Sequence, residues 1–265
     1  MEAHSLFQGN CSFACRESIA KWYLTMKREW TNRIRFVLDE LIPPIIRDSG
    51  WFMWPFYVAA YRTFSVRNLM TFKSKAYSMT DDEYASFYGS LGNSVSRLRS
   101  TDLNSASLNS IIDQIPRSTG LSILDVGTGN GYLLERLEEI APWARIAGID
   151  VVPLGNKQNR FEIYGGALPK LPFRDNEFDV ITCTHVMEHV LDPLASAKEL
   201  IRVARKYIFV VVPRQRYYYY TLDEHLNFYQ NIEPLMSYFK PFKVTASLQR
   251  GDWVLSIVLD KSGDC

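Results

Sequence analysis

Ile123-Leu124-Asp125-Val126-Gly127-Thr128-Gly129-Asn130-Gly131 joins an apolar, strand-like run to three closely spaced glycines, and a helix-like pattern from Tyr132 to Ile140 follows at once. Glycine adopts positive φ readily and lets a ligand approach the bare main chain. The first amide groups of a helix also attract negative charge and hydroxyl groups. This stretch therefore predicts a strand, a tight turn and a helix that together bind a polar ligand.

A second apolar run ends in an acid. Asp150 closes Gly148-Ile149-Asp150 and follows Gly127 by 23 residues. In nucleotide-binding sheets, an acid about 20 residues after the glycine turn receives the ribose hydroxyls. A carboxylate at the end of a buried strand is also costly unless it has a partner. We therefore expect Asp150 to bind the ribose of a nucleotide.

Beyond residue 100, strand-like and helix-like segments alternate. The buried-strand candidates are residues 121–126, 145–150, 161–164, 178–183 and 207–212. Such alternation is typical of a parallel sheet with helices on its faces. Near the end, two further strand-like runs flank Gln249-Arg250-Gly251-Asp252, which has the composition of a hairpin turn. The sequence predicts an α/β fold: a doubly wound, mostly parallel Rossmann-like sheet with a C-terminal antiparallel hairpin and an N-terminal helical extension.

The glycine spacing separates two kinds of nucleotide-binding turn. Dinucleotide folds favour G-x-G-x-x-G, whereas Gly127-x-Gly129-x-Gly131 is one residue tighter and follows Asp125. This pattern resembles motif I of the class I S-adenosylmethionine-dependent methyltransferases. The segments 171–181 (LPFRDNEFDVI) and 184–193 (THVMEHVLDP) resemble the entry to and exit from the fourth strand in the UbiE/UbiG-like branch of that superfamily. The resemblance covers roughly residues 100 to 260 and implies S-adenosylmethionine as the cofactor.

The resemblance also assigns positions around that cofactor. Gly127, Thr128 and Gly129 are expected along its methionine part, as are Thr184 and His185, while Asp150 takes both ribose hydroxyls. Many members place an Asp after the third strand to receive the adenine amino group, but Ala167 stands there, which leaves adenine to backbone groups and Leu168. The cofactor-binding residues implied are Asp125, Gly127, Thr128, Gly129, Asp150, Val151, Ala167, Leu168, Thr184 and His185. Asp125 has an equally plain structural reading, as an acceptor for backbone amides around the turn.

Methyl transfer to a hydroxyl requires removal of its proton. The sulfonium already activates the methyl group, so the protein chiefly aligns donor and acceptor and excludes water. His225, in Asp223-Glu224-His225-Leu226-Asn227-Phe228 after the fifth strand, is the first candidate for the base, and His185 is the second, because imidazole titrates near neutrality. The alternative for the His225 segment is a cap cluster that orders the loop. We expect transfer to oxygen in preference to nitrogen or carbon.

The first hundred residues differ in composition from the rest. Residues 1–75 contain 11 Lys and Arg against 6 Asp and Glu, a balance of +5, and four of the six tryptophans. The apolar spacing from Arg16 to Leu41 predicts a long amphipathic helix. We therefore divide the chain into an extension, 1–100, and a methyltransferase domain, 101–265. Three interpretations of the extension stay open: it roofs the cofactor, it contacts a membrane interface, or its aromatic residues are buried against the domain.

Composition limits partners and location. The net charge of +1 and pI near 7.6 argue against a nucleic-acid partner. No run reaches the ~20 apolar residues of a membrane span, no secretory signal is visible at the start of the sequence, and the four scattered cysteines favour a reducing compartment. We expect a cytoplasmic protein, with peripheral contact at the inner face of the membrane as an extension of that location. The acceptor classes considered are a small molecule, a sugar or glycan, and a lipid-linked compound, the last two because of Arg214 and Arg216 and the basic extension.

Two other functions compete. A methyltransferase-like module could bind cofactor without chemistry, and the Ala at position 167 is the best argument for it. An NAD-dependent oxidoreductase is the third class. Titration with S-adenosylmethionine and with NADH distinguishes the three.

Overall fold

The computed structural model describes residues 37–60, 66–90, 101–153 and 160–260. The predicted helix from Arg16 to Leu41 lies outside these ranges except for its last turn, Val37–Leu41, which is π-helical. The short spacing between Asp150 and Phe161 predicts a loop in place of a full crossover helix, and most of this segment also lies outside the described ranges.

Seven strands form one sheet in the described part of the chain. They are β1 (Ser122–Val126), β2 (Arg145–Asp150), β3 (Glu162–Gly165), β4 (Phe178–Thr184), β5 (Ala204–Pro213), β6 (Lys243–Gln249) and β7 (Asp252–Val258). Their order is β3-β2-β1-β4-β5-β7-β6. The first five strands are parallel, and β7 pairs antiparallel with both β5 and β6. The doubly wound sheet and its C-terminal hairpin are therefore confirmed.

Helices cover both faces of the sheet. They are α6 (Ser105–Gln114), α7 (Tyr132–Glu138), α8 (Pro193–Val203) and α9 (Glu233–Ser237). On one face, Ile111 and Leu137 pack with Val180; on the other, Leu200 and Leu235 pack in the larger cluster. The central strands β1, β4 and β5 are apolar on both sides because each face lies under a helix layer.

A helix cap and a hairpin turn have the conformations that their residue types favour. The Asn104 side chain accepts hydrogen bonds from the amides of Ala106 and Ser107, both at 2.9 Å, and so caps α6. Arg250 and Gly251 both have positive φ, 48° and 96°, in the turn between β6 and β7. This is the left-handed backbone that a two-residue hairpin turn requires.

In the described part of the extension, five helices pack on loops at one end of the sheet. They are α1 (Pro44–Arg47), α2 (Gly50–Ala60), α3 (Val66–Met70), α4 (Phe72–Ala76) and α5 (Asp81–Ser90), and we call them the roof. The Tyr57 hydroxyl in α2 donates to the Thr221 carbonyl at 2.6 Å, and the Tyr84 hydroxyl in α5 donates to the His189 carbonyl. The roof thus contacts the segments that follow β4 and β5, beside the predicted cofactor site.

The aromatic segment around Trp51 is helical and only partly buried. Met53 and Tyr57 are 0% and 3% exposed, whereas Trp51 and Trp54 are 75% and 44% exposed. The interpretation that these aromatics are simply buried therefore holds for one face of α2 and fails for the other. Within the described residues, no helix combines the length and hydropathy needed to cross a membrane.

Candidate active site

The three glycines turn the chain sharply between β1 and α7. Gly127, Gly129 and Gly131 all have positive φ, 78°, 52° and 85°. The Gly127 and Thr128 amides donate to the Ile149 carbonyl at 2.8 and 3.1 Å, which ties the turn to β2. A Cβ on Gly127 would collide with the Val186 side chain, whereas a Cβ on Gly129 or Gly131 would meet open space. The turn therefore leaves bare main chain facing a free volume, as a bound cofactor requires.

Asp150 lies across from this turn at the end of β2. One carboxylate oxygen accepts from the Gly129 amide at 2.9 Å and the other from the Val152 amide at 3.0 Å. These bonds fix the carboxylate at the carboxyl edge of the sheet, and each oxygen keeps a lone pair for a further donor. The strand order reverses between β1 and β4, and ligands of doubly wound sheets bind at such a point. We call residues 125–131 and 148–152 the cofactor edge.

Asp125 is buried behind the turn. Its side chain accepts from the Thr182 hydroxyl at 2.7 Å. Burial raises the pKa of Asp125 to about 7, although the hydrogen bond from Thr182 acts to lower it. Thr128, whose hydroxyl is buried, also acts to lower the pKa of Asp125 through a side-chain hydrogen bond. Asp125 is therefore held by groups of the glycine turn and of β4.

The segments expected around adenine present main chain and apolar groups. Gly166 N donates to the Asp150 carbonyl at 3.0 Å, and Ala167 forms an isolated bridge with Lys170. Leu168 is partly buried against the larger core cluster, and Val151 is 36% exposed. The side chains at 151, 167 and 168 are apolar, so a hydrogen bond to a ligand there would have to come from the backbone.

His185 follows β4 and lies between two acids. Its Nδ1 is 3.1 Å from Glu188 Oε1, and its Nε2 is 3.6 Å from Asp252 Oδ2. Burial acts to lower the pKa of His185, but the charges of Asp252 and Glu188 outweigh it and raise the pKa to about 10. His185 is therefore protonated at neutral pH and has no lone pair with which to accept a proton. Thr184, the last residue of β4, is half-buried beside it.

His225 is 5% exposed in the loop after β5. Its Nδ1 is 2.7 Å from Gln215 Oε1, and its ring contacts that of His189 with centroids 4.8 Å apart. His189 Nδ1 lies 2.8 Å from the Tyr88 hydroxyl in α5. The segments 184–190 and 215–228 therefore meet under the roof, and we call them the acceptor edge.

Sequence reasoning missed two roof residues, Lys73 and Tyr88, that contact the acceptor edge. Lys73 donates to the Tyr218 carbonyl and lies over the rings of Phe228 and Tyr217, at 4.1 and 4.9 Å. Tyr88 reaches His189 across 101 positions of sequence. No local pattern links residues so far apart. Only the repeated aromatics of 84–88, with Tyr84, Phe87 and Tyr88 clustered, signalled that this helix packs against something.

Comparisons with known proteins agree with this geometry. The family model described as "Methyltransferase domain" matches residues 124–211. A demethylmenaquinone methyltransferase of Roseiflexus sp. is 34% identical over 132 residues, which cover 46% of this chain and 55% of the relative. A ubiquinone biosynthesis O-methyltransferase of Nitrosospira multiformis is 31% identical over 106 residues, or 36% of this chain and 43% of the relative. This chain thus spans about half the length of these relatives.

One further relative and one solved structure are also similar to this chain. A tRNA U34 carboxymethyltransferase of Nautilia profundicola is 37% identical over 87 residues, 29% of each chain. A chain from the solved complex of the Haloferax volcanii Trm112 methyltransferase activator with its methyltransferase superposes with a TM-score of 0.50. It is 14% identical and covers 71% of this chain and 96% of its own length. The likeness supports the Rossmann-like fold. Residues 124–211 therefore belong to a class I, S-adenosylmethionine-dependent methyltransferase domain of the UbiE/UbiG-like type.

Proposed function

We propose that this protein transfers a methyl group from S-adenosylmethionine to an oxygen of a small, lipid-linked acceptor. The observation that carries the proposal is the cofactor edge: a turn of positive-φ glycines with open space beside Gly129, opposite the fixed carboxylate of Asp150. The sulfonium of the bound cofactor supplies an activated methyl group. What the protein adds is alignment of the acceptor oxygen and exclusion of water.

The cofactor edge divides the work of binding. Gly127, Thr128 and Gly129 hold the amino-acid end by main-chain contact, and Asp150 receives the two ribose hydroxyls. Val151, Ala167 and Leu168 pack around adenine, and Thr184 lines the methionine part from the end of β4. Asp125 supports the turn from below through Thr182. Each role rests on the position of the residue at the carboxyl edge of the sheet.

The two histidines take different roles on the acceptor edge. Removal of the acceptor proton depends on His225, which is buried in the loop that closes over this edge. His185 instead keeps its proton between Glu188 and Asp252, so its positive charge orders the loop beside the methionine part. Transfer to oxygen is supported by the relative named as an O-methyltransferase of ubiquinone biosynthesis.

The acceptor class is supported by the surface of the roof. Ile45, Trp51, Trp54 and Val58 are 86%, 75%, 44% and 44% exposed, and α2 carries no charged residue. Tryptophan and isoleucine on one exposed, uncharged surface suit the boundary between lipid head groups and acyl chains. Peripheral contact with a membrane would bring lipid-linked acceptors to the site, and two relatives are named for menaquinone and ubiquinone methylation. A glycan acceptor has weaker support, because Arg216 donates to the Tyr218 hydroxyl in its own loop.

Calorimetry tests whether the chain binds S-adenosylmethionine, on which the proposal depends. S-adenosylmethionine and its demethylated product should both bind to the purified chain, and NADH should not. Asp150→Ala should weaken binding at least tenfold, because hydrogen bonds to a charged group contribute about 1.5–3 kcal/mol each. Asp175→Ala, at an exposed acid in the loop before β4, is the matched control. Binding of NADH in place of S-adenosylmethionine would overturn the proposal, and binding without methylation of any quinone precursor would favour the non-catalytic module.

A further inference from the structure

Three potential metal ligands converge on the acceptor edge. One carboxylate oxygen of Glu188 and one imidazole nitrogen from each of His189 and His225 lie within 4.8 Å of one another. Glu188 and His225 are buried, at 0% and 5% exposure. We propose that these three residues bind a divalent transition-metal ion of the zinc type, which holds the oxygen of the methyl acceptor. This inference rests on the proposed function for its role, but not for the binding of the ion itself.

Hydrogen bonds orient the rings of both histidines. Nδ1 of His225 faces Gln215 Oε1 at 2.7 Å, and Nδ1 of His189 faces the Tyr88 hydroxyl at 2.8 Å and the Glu224 carbonyl at 3.3 Å. Because an amide oxygen only accepts, Nδ1 of His225 carries the hydrogen and its Nε2 keeps a lone pair. Histidine ligands in metal sites are oriented in this way, by donating the other N–H to a carbonyl or carboxylate. The supporting shell of a metal site is therefore already in place.

Glu188 gives an independent indication. Its Oε1 bonds to His185, whereas Oε2 is fully buried and has no hydrogen-bond partner among the residues that the structure describes. A buried carboxylate oxygen without a partner is costly, and it is explained when a cation fills the vacant direction.

The ligand set selects the kind of ion. Two imidazoles and one carboxylate suit zinc and other late transition metals better than magnesium or calcium, which prefer oxygen ligands. Ligands at about 2.1 Å from a tetrahedral ion lie about 3.4 Å apart. The groups here are within 4.8 Å of one another, so closure requires side-chain movements of around an ångström. Three protein ligands leave a fourth position open, which is the arrangement of catalytic zinc sites.

The position of the ligands links them to methyl transfer. Glu188 and His189 follow Val186, whose side chain covers Gly127 of the glycine turn. The ion would therefore lie two or three residues along the chain from a group that touches the cofactor edge. An acceptor oxygen in the fourth position would face the methionine end of the cofactor, where the activated methyl group is expected.

As a metal ligand, His225 would act on the acceptor proton through the ion and not as the base itself. An acceptor hydroxyl at the open position would have a lowered pKa, because the ion would stabilise R–O⁻. The O–H bond would break and its proton would pass to the carboxylate of Asp223, whose Oδ2 is 3.9 Å from His225 Nε2, and from there to water. The oxygen lone pair then forms the O–C bond to the methyl carbon while the C–S electron pair returns to sulfur. Charge balances, since an oxyanion and a sulfonium become a neutral ether and a neutral thioether.

The test begins with the full chain freed of metal by a chelator and dialysis. Co²⁺ should bind at one ion per chain, with visible absorption that reports imidazole ligands, and Zn²⁺ should displace it. His225→Ala and His189→Ala should each weaken Zn²⁺ binding at least tenfold. Glu188→Gln should do the same with little change in shape. Asp175→Ala, which removes an exposed acid in the loop before β4, should leave binding unchanged.

Folding and cofactor binding are measured on the same samples. Circular dichroism and calorimetry with S-adenosylmethionine identify variants that fold, and a ligand variant that has lost its fold is replaced by Gln215→Ala, which should weaken Zn²⁺ binding through His225. Absence of stoichiometric Zn²⁺ binding by the wild type overturns the inference, as does unchanged binding in folded His225→Ala. If Zn²⁺ fails to bind while S-adenosylmethionine binds, the proposed function stands without the metal. If S-adenosylmethionine fails to bind, the proposed function falls, and the Zn²⁺ titration still decides the site.

Discussion

The cofactor edge and the acceptor edge are built at different ranges of sequence. The cofactor edge takes its groups from two adjacent strands, with Gly127 and Asp150 only 23 residues apart. At the acceptor edge, α5 of the roof packs on the loops after β4 and β5. Tyr88, His189 and His225 are therefore neighbours although they come from distant segments of the sequence. The residues expected to bind the methyl donor therefore lie in a short sequence motif, whereas those expected to bind the acceptor are brought together by tertiary packing. Predictions that separate the two edges test this contrast.

The largest effect is expected at the glycine turn. Gly127→Ala places a Cβ against the Val186 side chain and forces an alanine to φ near 78°. The left-handed backbone alone costs about 1–2 kcal/mol, and the collision must push apart the two segments that enclose the cofactor. We expect S-adenosylmethionine binding to fall more than a hundredfold in calorimetry.

Gly120→Ala is the control for this change. Gly120 has nearly the same φ, 80°, but nothing lies within 4 Å of its added Cβ. The two variants should lose comparable stability from backbone strain, and only Gly127→Ala should lose cofactor binding. Equal cofactor affinity in both would show that the close contact with Val186 does not shape the site.

A substitution at the acceptor edge should lower turnover and Zn²⁺ affinity without changing the affinity for S-adenosylmethionine. Tyr88→Phe removes the hydroxyl that lies 2.8 Å from His189 Nδ1. Changes to a supporting partner of a metal-binding histidine typically cost ten- to a hundredfold in affinity or activity. We expect turnover and Zn²⁺ affinity to fall by that factor while S-adenosylmethionine affinity stays constant. Tyr77→Phe, at a 63% exposed tyrosine of the roof, should change neither, and a loss of cofactor affinity in Tyr88→Phe would contradict the separation of the two edges.

The sequence predicts the sheet and the cofactor edge because their signals are local. Apolar runs of five to ten residues mark the strands, and Asn104 and Gly251 mark an end and a turn with residues whose conformations are restricted. Lys73 and Tyr88 show why the acceptor edge stayed hidden. Each is an ordinary residue of a helix, and each acquires a partner only when the roof packs on loops 101 to 145 positions away. Glu188 and His189 are adjacent in the sequence, but His225, the third residue of the proposed metal site, lies 36 positions beyond His189, and no local pattern joins them.

The exposed surface of α2 gives a smaller effect. Trp51→Ser and Trp54→Ser together should reduce co-sedimentation with vesicles of mixed neutral and anionic lipids by about tenfold, because each loses apolar area at the interface. Leu194→Ser, at a residue 44% exposed on α8, is a control of similar exposure outside the roof. Catalysis on a soluble acceptor should stay at the wild-type rate in both variants. Equal sedimentation of the wild type and the double variant would remove the membrane from the proposal.

The smallest expected effect is a pH slope that separates Lys73 of the roof from His185 below it. Burial lowers the pKa of Lys73 from 10.5 to about 7, so between these values the unfolded chain binds a proton that the folded chain does not. The free energy of unfolding therefore rises with pH across this window because of Lys73. The pKa of His185 is raised from 6.5 to about 10, so the folded chain holds the extra proton there and the same free energy falls as pH rises. The two contributions oppose each other and should leave the wild type with a shallow profile between pH 7 and 10.

Lys73→Met and His185→Gln should each remove one of these two contributions, so the free energy of unfolding should change with pH in opposite directions in the two variants. Without Lys73, stability measured by urea unfolding should fall more steeply as pH rises from 7 to 10. Without His185, it should rise over the same interval. Cofactor affinity should follow pH alike in wild type and Lys73→Met, since the amino group of Lys73 lies against the loop of Tyr217, Tyr218 and Phe228 in the acceptor edge. Slopes of the same sign in both variants would mean that these groups do not titrate in opposite senses, and the assignment of His185 as a fixed cation would then fail with them.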